Sequence, residues 1–202
     1  YTITMNDRYR FSRLLAILSG LILFSLIFCV SAYGLEVKYV AIAMLPIMVV
    51  MVNSLYVKDK TEFGKFSDIY TGILYIAVPL SLSNLIVFFG QQFNGIVLLC
   101  FFIIIWSSDV GGYIFGSTLG KRFSKKLFPD ISPKKTWAGF WGGMFCSVLS
   151  AIVLKYAMHL PISLINTIVL AIVMDIAGVY GDLFESQWKR HYNVKDSGTI
   201  VP

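Results

Sequence analysis

Residues 69–108 read IYTGILYIAVPLSLSNLIVFFGQQFNGIVLLCFFIIIWSS, forty consecutive positions between Asp68 and Asp109 with no charged side chain. A helix crosses the bilayer core with about 20 apolar residues, so this stretch is too long for one crossing and right for two. Its middle, Gly90-Gln91-Gln92-Phe93-Asn94-Gly95, is polar and glycine-rich and reads as a turn. Further uncharged runs flank it: residues 14–35, 39–57, 136–154 and 156–174. Six spans follow, at about 14–34, 39–57, 69–89, 95–117, 136–155 and 161–182, the last continuing as a polar helical extension to about residue 191. Lipid offers no partner to a free backbone group, so the spans must be helices. The expected fold class is all-α, a polytopic integral membrane helical bundle of about six transmembrane helices. It is read as a single membrane-embedded domain over 1–202, with N-terminal spans at about 14–57 and a motif-bearing region at about 69–202.

Composition agrees. The 202 residues are 57% hydrophobic and 14% charged, with mean hydropathy +0.75, whereas soluble domains carry about 25% charged residues. A disordered chain and a water-soluble globule are both excluded. The net charge of +6 is explained by its placement. With six crossings, both termini and the loops 58–68 and 118–135 share one side. That side holds every one of the 17 basic residues except Lys38 and Lys155. Basic residues mark the cytoplasmic side, and a basic face attracts anionic lipid, so no nucleic-acid partner is needed. The first apolar run is longer than a signal-peptide core and lacks a small-residue cleavage site, so a retained span is expected. The chain opens on Tyr1 and stops at Pro202, and it is read as a fragment.

Cys29, Cys100 and Cys146 lie in separate apolar runs without CxxC spacing, and His159 and His191 form no HExxH. They read as packing and surface residues. The acids are more informative. Asp109, Asp175 and Asp182 fall within or at the ends of spans, where an ionisable group costs a few kcal/mol and marks a functional site by default, the alternative for each being a salt bridge to a lysine at the interface. On a helix over 175–190, Asp175, Asp182, Glu185, Ser186 and Lys189 share one stripe. Carboxylates, a hydroxyl and a cation at the end of a span suit Mg²⁺ or another divalent cation together with phosphate. Glu185 and Lys189 equally form an ordinary i,i+4 surface pair.

The stretch 106–143, WSSDVGGYIFGSTLGKRFSKKLFPDISPKKTWAGFWGG, repeats glycine every four residues at 112, 116 and 120, and again at 139 and 143. Such stripes let membrane helices approach closely. A phosphate-binding Walker loop fails here, because Gly116 to Gly120-Lys121 is one residue short and Arg122 stands where Ser or Thr is needed. Ser132-Pro133-Lys134-Lys135-Thr136 runs directly into the span at Trp137. Two lysines and two hydroxyls are thereby expected in the loop at headgroup depth, where charge-assisted hydrogen bonds grip a polyanion.

At these stretches the sequence resembles the phosphatidate cytidylyltransferase (CDP-diacylglycerol synthase) family. Ser186, Lys189-Arg190, Lys195-Asp196, Gly198 and Pro202 stand in register with the family's C-terminal pattern, with Trp188 and Val201 as apolar departures. Gly181-Asp182-Leu183, Glu185, Asp109, Tyr113, Gly116, Gly120-Lys121 and Ser132–Trp137 with Gly139, Gly142 and Gly143 are similar as well. The likeness covers about 106–143 and 181–202. The family pattern continues with a His-Gly-Gly and an Asp-Arg-x-Asp segment, so part of its metal-binding acids is expected beyond Pro202. Asp175 has no place in the pattern.

The resemblance implies transfer of CMP from CTP to phosphatidate at the membrane, giving CDP-diacylglycerol and pyrophosphate with a divalent cation. Asp182, Lys189, Lys135 and Asp109 are the implied catalytic residues. Asp182, Asp109, Asp196 and Glu185 are the implied metal ligands. Ser132, Lys134, Lys135, Thr136, Ser186, Arg190 and Lys195 are the implied substrate contacts. The expected setting is a bacterial inner membrane with the site and both termini cytoplasmic, and a homodimer is left open. Alternatives are CMP transfer to another lipid phosphate, a transporter, and a non-catalytic homologue. A CDP-alcohol phosphotransferase is disfavoured, because its Asp-Gly-x-x-Ala-Arg opening is absent.

Overall fold

The computed structural model describes residues 9–56, 65–89, 91–120 and 125–192. Six of its helices are long and apolar enough to cross a membrane, and the chain is an integral membrane protein of the all-α class. It separates into two compact units, one up to Leu98 and the other from Leu99.

In the first unit, α1 (Arg10–Tyr33) ends where Gly34 adopts φ 71°, and the N–H groups of Gly34 and Leu35 return to the carbonyls of Val30 and Cys29. A left-handed glycine closing a helix in this way satisfies carbonyls that lipid would leave bare. The second span begins as a 3₁₀ segment, Val37–Ala43, and continues as α2 (Met44–Ser54). The third consists of α3 (Lys65–Gly72), a π-helical turn Ile73–Ala77 and α4 (Val78–Val87). Pro79 lacks an N–H, and its ring clashes with the carbonyl four residues back. The slip into π geometry lies directly before it and re-routes the ladder.

Packing here uses small polar residues. Ser19 Oγ donates to the Ala43 carbonyl at 2.8 Å, and Asn53 Nδ2 donates to Ser12 Oγ at 2.9 Å. Tyr9 stands edge-on to Phe66, with ring centroids 5.7 Å apart, in a core that includes Val50 and Ile69. The turn expected at 90–95 lies within a short hairpin. Its strands β1 (Phe88–Phe89) and β2 (Gln92–Phe93) pair antiparallel, Phe88 opposite Phe93.

The second unit contains α5 (Ile96–Thr118, from Leu99 onward), β3 (Lys126–Phe128), β4 (Ser132–Thr136), α6 (Trp137–Ala157) and α7 (Leu164–His191). The segment expected to be a loop before Trp137 is a hairpin. Lys126 pairs with Thr136 and Phe128 with Ser132, and Trp137 N–H donates to the Lys125 carbonyl. No alternation of apolar side chains announces it, because backbone pairing alone closes it. Phe128 sets its ring against Tyr180 of α7 at 6.4 Å.

Helices α5 and α6 meet backbone to backbone. A Cβ on Gly111 would lie 2.8 Å from the Gly142 carbonyl and 2.6 Å from Cys146 Sγ, and one on Gly139 would lie 2.8 Å from the Gly112 carbonyl. A Cβ on Gly142 would collide with Phe115. The outer faces are apolar too: Trp141, Phe145, Leu149 and Val153, four apart on α6, are all exposed. They supply the lipid-facing stripe, with Ala151 and Leu154 turned inward beside Ala171 and Met174. At 28 residues and about 1.5 Å each, α7 outruns a bilayer core of about 30 Å. It therefore carries Glu185–His191 beyond it, with Lys189, Arg190 and His191 in the last turn, where the dipole favours cations.

Gly111→Ala is expected to lower stability by about 1–3 kcal/mol through overpacking. Gly178→Ala, whose Cβ meets nothing within 4 Å, should leave the melting temperature in detergent unchanged. Equal melting of both variants would refute the close contact.

Candidate active site

A cavity of about 610 Å³ opens among α5, the β3–β4 hairpin, α6 and α7. The sequence brings acids and bases to it from separate elements. Asp109 comes from α5, Lys134 and Lys135 from β4, Thr136 from the start of α6, and Asp175 and Asp182 from α7. Gly112, Gly116, Gly139, Gly143 and Gly178 also line the cavity, among larger side chains such as Tyr113 and Phe140.

Lys135 Nζ lies 2.5 Å from Asp182 Oδ2 and donates to the Val179 carbonyl at 3.4 Å. The lysine side chain is 25% exposed and the aspartate 58%. An ion pair this wet contributes little to stability, so its consequence is placement: the ammonium is held at the cavity wall. Asp109, Asp175 and Asp182 thus all line one cavity.

Thr136 caps α6. Its side-chain oxygen accepts from Gly139 N–H at 3.2 Å, and the residue is buried. The remaining N–H groups of that first turn make the positive end of a 21-residue helix beside the cavity, a setting that favours anions. The hydroxyl expected to contact substrate also serves as a helix cap.

Other candidates fall elsewhere. Ser132 sits at the far end of β4 opposite Phe128. Glu185, Ser186, Lys189 and Arg190 occupy the turns of α7 beyond Asp182 and are not among the cavity's lining residues. Lys189 Nζ pairs with Glu185 Oε1 at 2.7 Å, the i,i+4 arrangement anticipated as the alternative. Lys121, Lys195, Asp196, Gly198 and Pro202 lie outside the described residues.

Ser108 was missed by sequence reasoning. Its hydroxyl donates to Asp175 Oδ1 across 67 residues of chain, a separation that no local pattern reveals. The only signal was a hydroxyl beside an intramembrane acid.

The model of the cytidylyltransferase family matches residues 2–202. The chain belongs to the cytidylyltransferase family. Curated relatives named phosphatidate cytidylyltransferase include one from Bacillus subtilis strain 168, 34% identical over 168 residues, covering 83% of this chain and 59% of the relative. One from Staphylococcus epidermidis is 36% identical over 146 residues, covering 72% and 53%. One from Staphylococcus saprophyticus is 44% identical over 101 residues, covering 50% and 38%. The chain therefore spans between about half and three fifths of the first two relatives' lengths. No solved structure matches it.

In this cytidylyltransferase chain the cap oxygen of Thr136 predicts a graded response. Thr136→Ser should keep the cap and most of the stability, whereas Thr136→Val should lose about 1 kcal/mol, read as a lower melting temperature of the purified protein. A valine variant as stable as the serine variant would remove the cap's importance.

Proposed function

We propose that this site transfers CMP from CTP to phosphatidate, yielding CDP-diacylglycerol and pyrophosphate. The observation that carries the reading is Lys135 pinned by Asp182 on the wall of a glycine-lined cavity that also receives Lys134 and the positive end of α6. A polyanion and an amphipathic phosphate can both be met there, one from water and one from the headgroup layer. The family membership and the relatives' names point the same way.

The chain's own groups suit in-line displacement. A phosphatidate phosphate oxygen attacks the α-phosphorus of CTP, and the bond from that phosphorus to the bridging oxygen of the β-phosphate breaks, releasing pyrophosphate. The attacking phosphate is already anionic near neutral pH, so no strong base is required, and catalysis rests on positioning and charge. Lys135 and Lys134 would grip phosphate oxygens from the hairpin. Lys189, Arg190 and Lys195 would add positive charge from the end of α7 and the segment that follows.

Asp109 and Asp182 are hard oxygen donors on two helices facing one cavity. Among the described residues no three His, Cys, Asp or Glu side chains converge to hold an ion by themselves. This donor set fits Mg²⁺, which takes one or two carboxylates and completes its shell with water and substrate phosphates. Asp182 would be the main ligand, with Asp109, Asp196 and Glu185 as further ones. When bound, the ion would neutralise triphosphate charge. The segregation of basic residues supports a cytoplasmic site and termini, and the bacterial relatives support an inner-membrane setting.

In a protein carrying the complete family motif, radiolabelled CTP should label lipid when phosphatidate is supplied. Asp182→Asn should lower turnover at least about 100-fold without loss of membrane insertion. Lys135→Ala should raise the apparent KM for CTP or lower kcat. Near-normal turnover in Asp182→Asn would remove Asp182 from the site. Labelling only with a different lipid phosphate would reassign the acceptor. For orientation, single cysteines at Lys58 or Lys126 should react with impermeant reagents from the cytoplasmic side, and cysteines at Lys38 or Lys155 from the opposite side.

A further inference from the structure

We infer that Asp175 reads the exocyclic amine of the cytosine base and so sets the enzyme's preference for CTP over UTP. The inference rests on the cytidylyltransferase reading above and deepens it. Asp175 is 3% exposed, lines the same cavity and has no part in the phosphate chemistry. Its Oδ1 accepts from the Ser108 hydroxyl. Its Oδ2 is buried without a hydrogen-bond partner among the described residues. A buried carboxylate oxygen left unpaired is costly, and one on a cavity wall is matched when a ligand brings it an N–H or O–H.

Two observations favour an amine over a metal ion. First, the neighbours at this end of the cavity, Ile104, Ile105 and Met174, are apolar and suit the faces of a flat ring. Second, the spacing fits. Asp175 lies seven residues before Asp182 on one continuous helix, roughly 10 Å along its axis. That is the reach from the amine of a pyrimidine nucleotide to its α-phosphate, and it puts the phosphate beside Lys135 when the base is beside Asp175. Gly143 lets α6 approach the Ser108–Asp175 pair closely, since a Cβ there would lie 2.9 Å from the Ser108 carbonyl.

Cytosine offers N–H to Oδ2 at this position, whereas uracil offers a carbonyl oxygen, lone pair against lone pair. Ser108 acts as a positioning residue. Its hydroxyl fixes one carboxylate oxygen and leaves the other without a protein partner among the described residues.

The test compares kcat/KM for CTP, UTP and the 5′-triphosphate of the cytidine analogue lacking the exocyclic amine, in the complete enzyme with phosphatidate in vesicles. The unaltered enzyme should favour CTP over both by at least about tenfold. Asp175→Asn can turn its amide N–H₂ toward the base and should bring the CTP-to-UTP ratio down at least about tenfold. Ser108→Ala keeps the carboxylate but frees its orientation, and should raise KM for CTP more than it lowers kcat while narrowing the same ratio. Either variant that folds decides the matter, and an unchanged ratio in it overturns the inference. So does an unaltered enzyme that uses the amine-lacking analogue as well as CTP. If the unaltered enzyme labels no lipid from CTP, the cytidylyltransferase reading fails and this inference falls with it. If it labels lipid but the variants keep the ratio, only this inference fails.

Discussion

Helices in lipid gain little from burying apolar surface against one another, because hydrocarbon chains surround them on every side. What holds them is close contact and shape. The meeting of α5 and α6 through Gly111, Gly112, Gly139 and Gly142 is therefore the constraint on which the second unit depends. It brings carbonyls of one helix to within about a Cβ's reach of the other. Leucine or valine at these points would hold the helices apart, and dispersion contacts along their length would weaken with the gap.

The same glycines govern the chemistry. Gly112, Gly116, Gly139 and Gly143, which lie where α5 and α6 approach closely, also line the cavity that holds Asp175 and Lys135. The asymmetry of its two regions follows from burial. Near Asp182 the charges are half in water, so the ion pair with Lys135 is energetically cheap to form and to exchange. Asp175 is buried, so each unmatched polar atom there weighs more.

Much of this was legible in the sequence, and the reasons are physical. A span is a local property, fixed by the distance between charges, and all six runs became helices of the expected length. The extension of α7 past Asp182 was equally local, since its stripe of polar residues obeys helical period. The hairpin at Lys126–Thr136 was not legible, because two short strands held by backbone pairing leave no side-chain pattern. Thr136 was singled out for a hydroxyl that could meet substrate, while its position before a helix also made it a cap. Asp109, Lys134, Lys135, Thr136, Asp175 and Asp182 were each visible singly, and their sharing of one cavity depends on tertiary packing. Ser132, Glu185, Ser186, Lys189 and Arg190 resemble the family pattern equally well, yet stand away from that cavity's lining. Motif membership shows that a residue type is required, and packing decides which surface it serves.

Asp175 makes the point most sharply, because it has no place in the family pattern and is nevertheless the most deeply buried acid among the cavity's lining residues. A carboxylate so placed destabilises the bundle unless something matches it. Ser108 matches one oxygen. Conformational freedom would let the other turn toward a backbone donor, but helical N–H groups are already engaged within their own ladders. On the inference above, that oxygen is matched by the bound base, and a group that meets it gains more than it would in water. On the proposed reaction, this makes the dry end suited to discrimination and the wet end suited to phosphate exchange, with α7 fixing the distance between the two tasks.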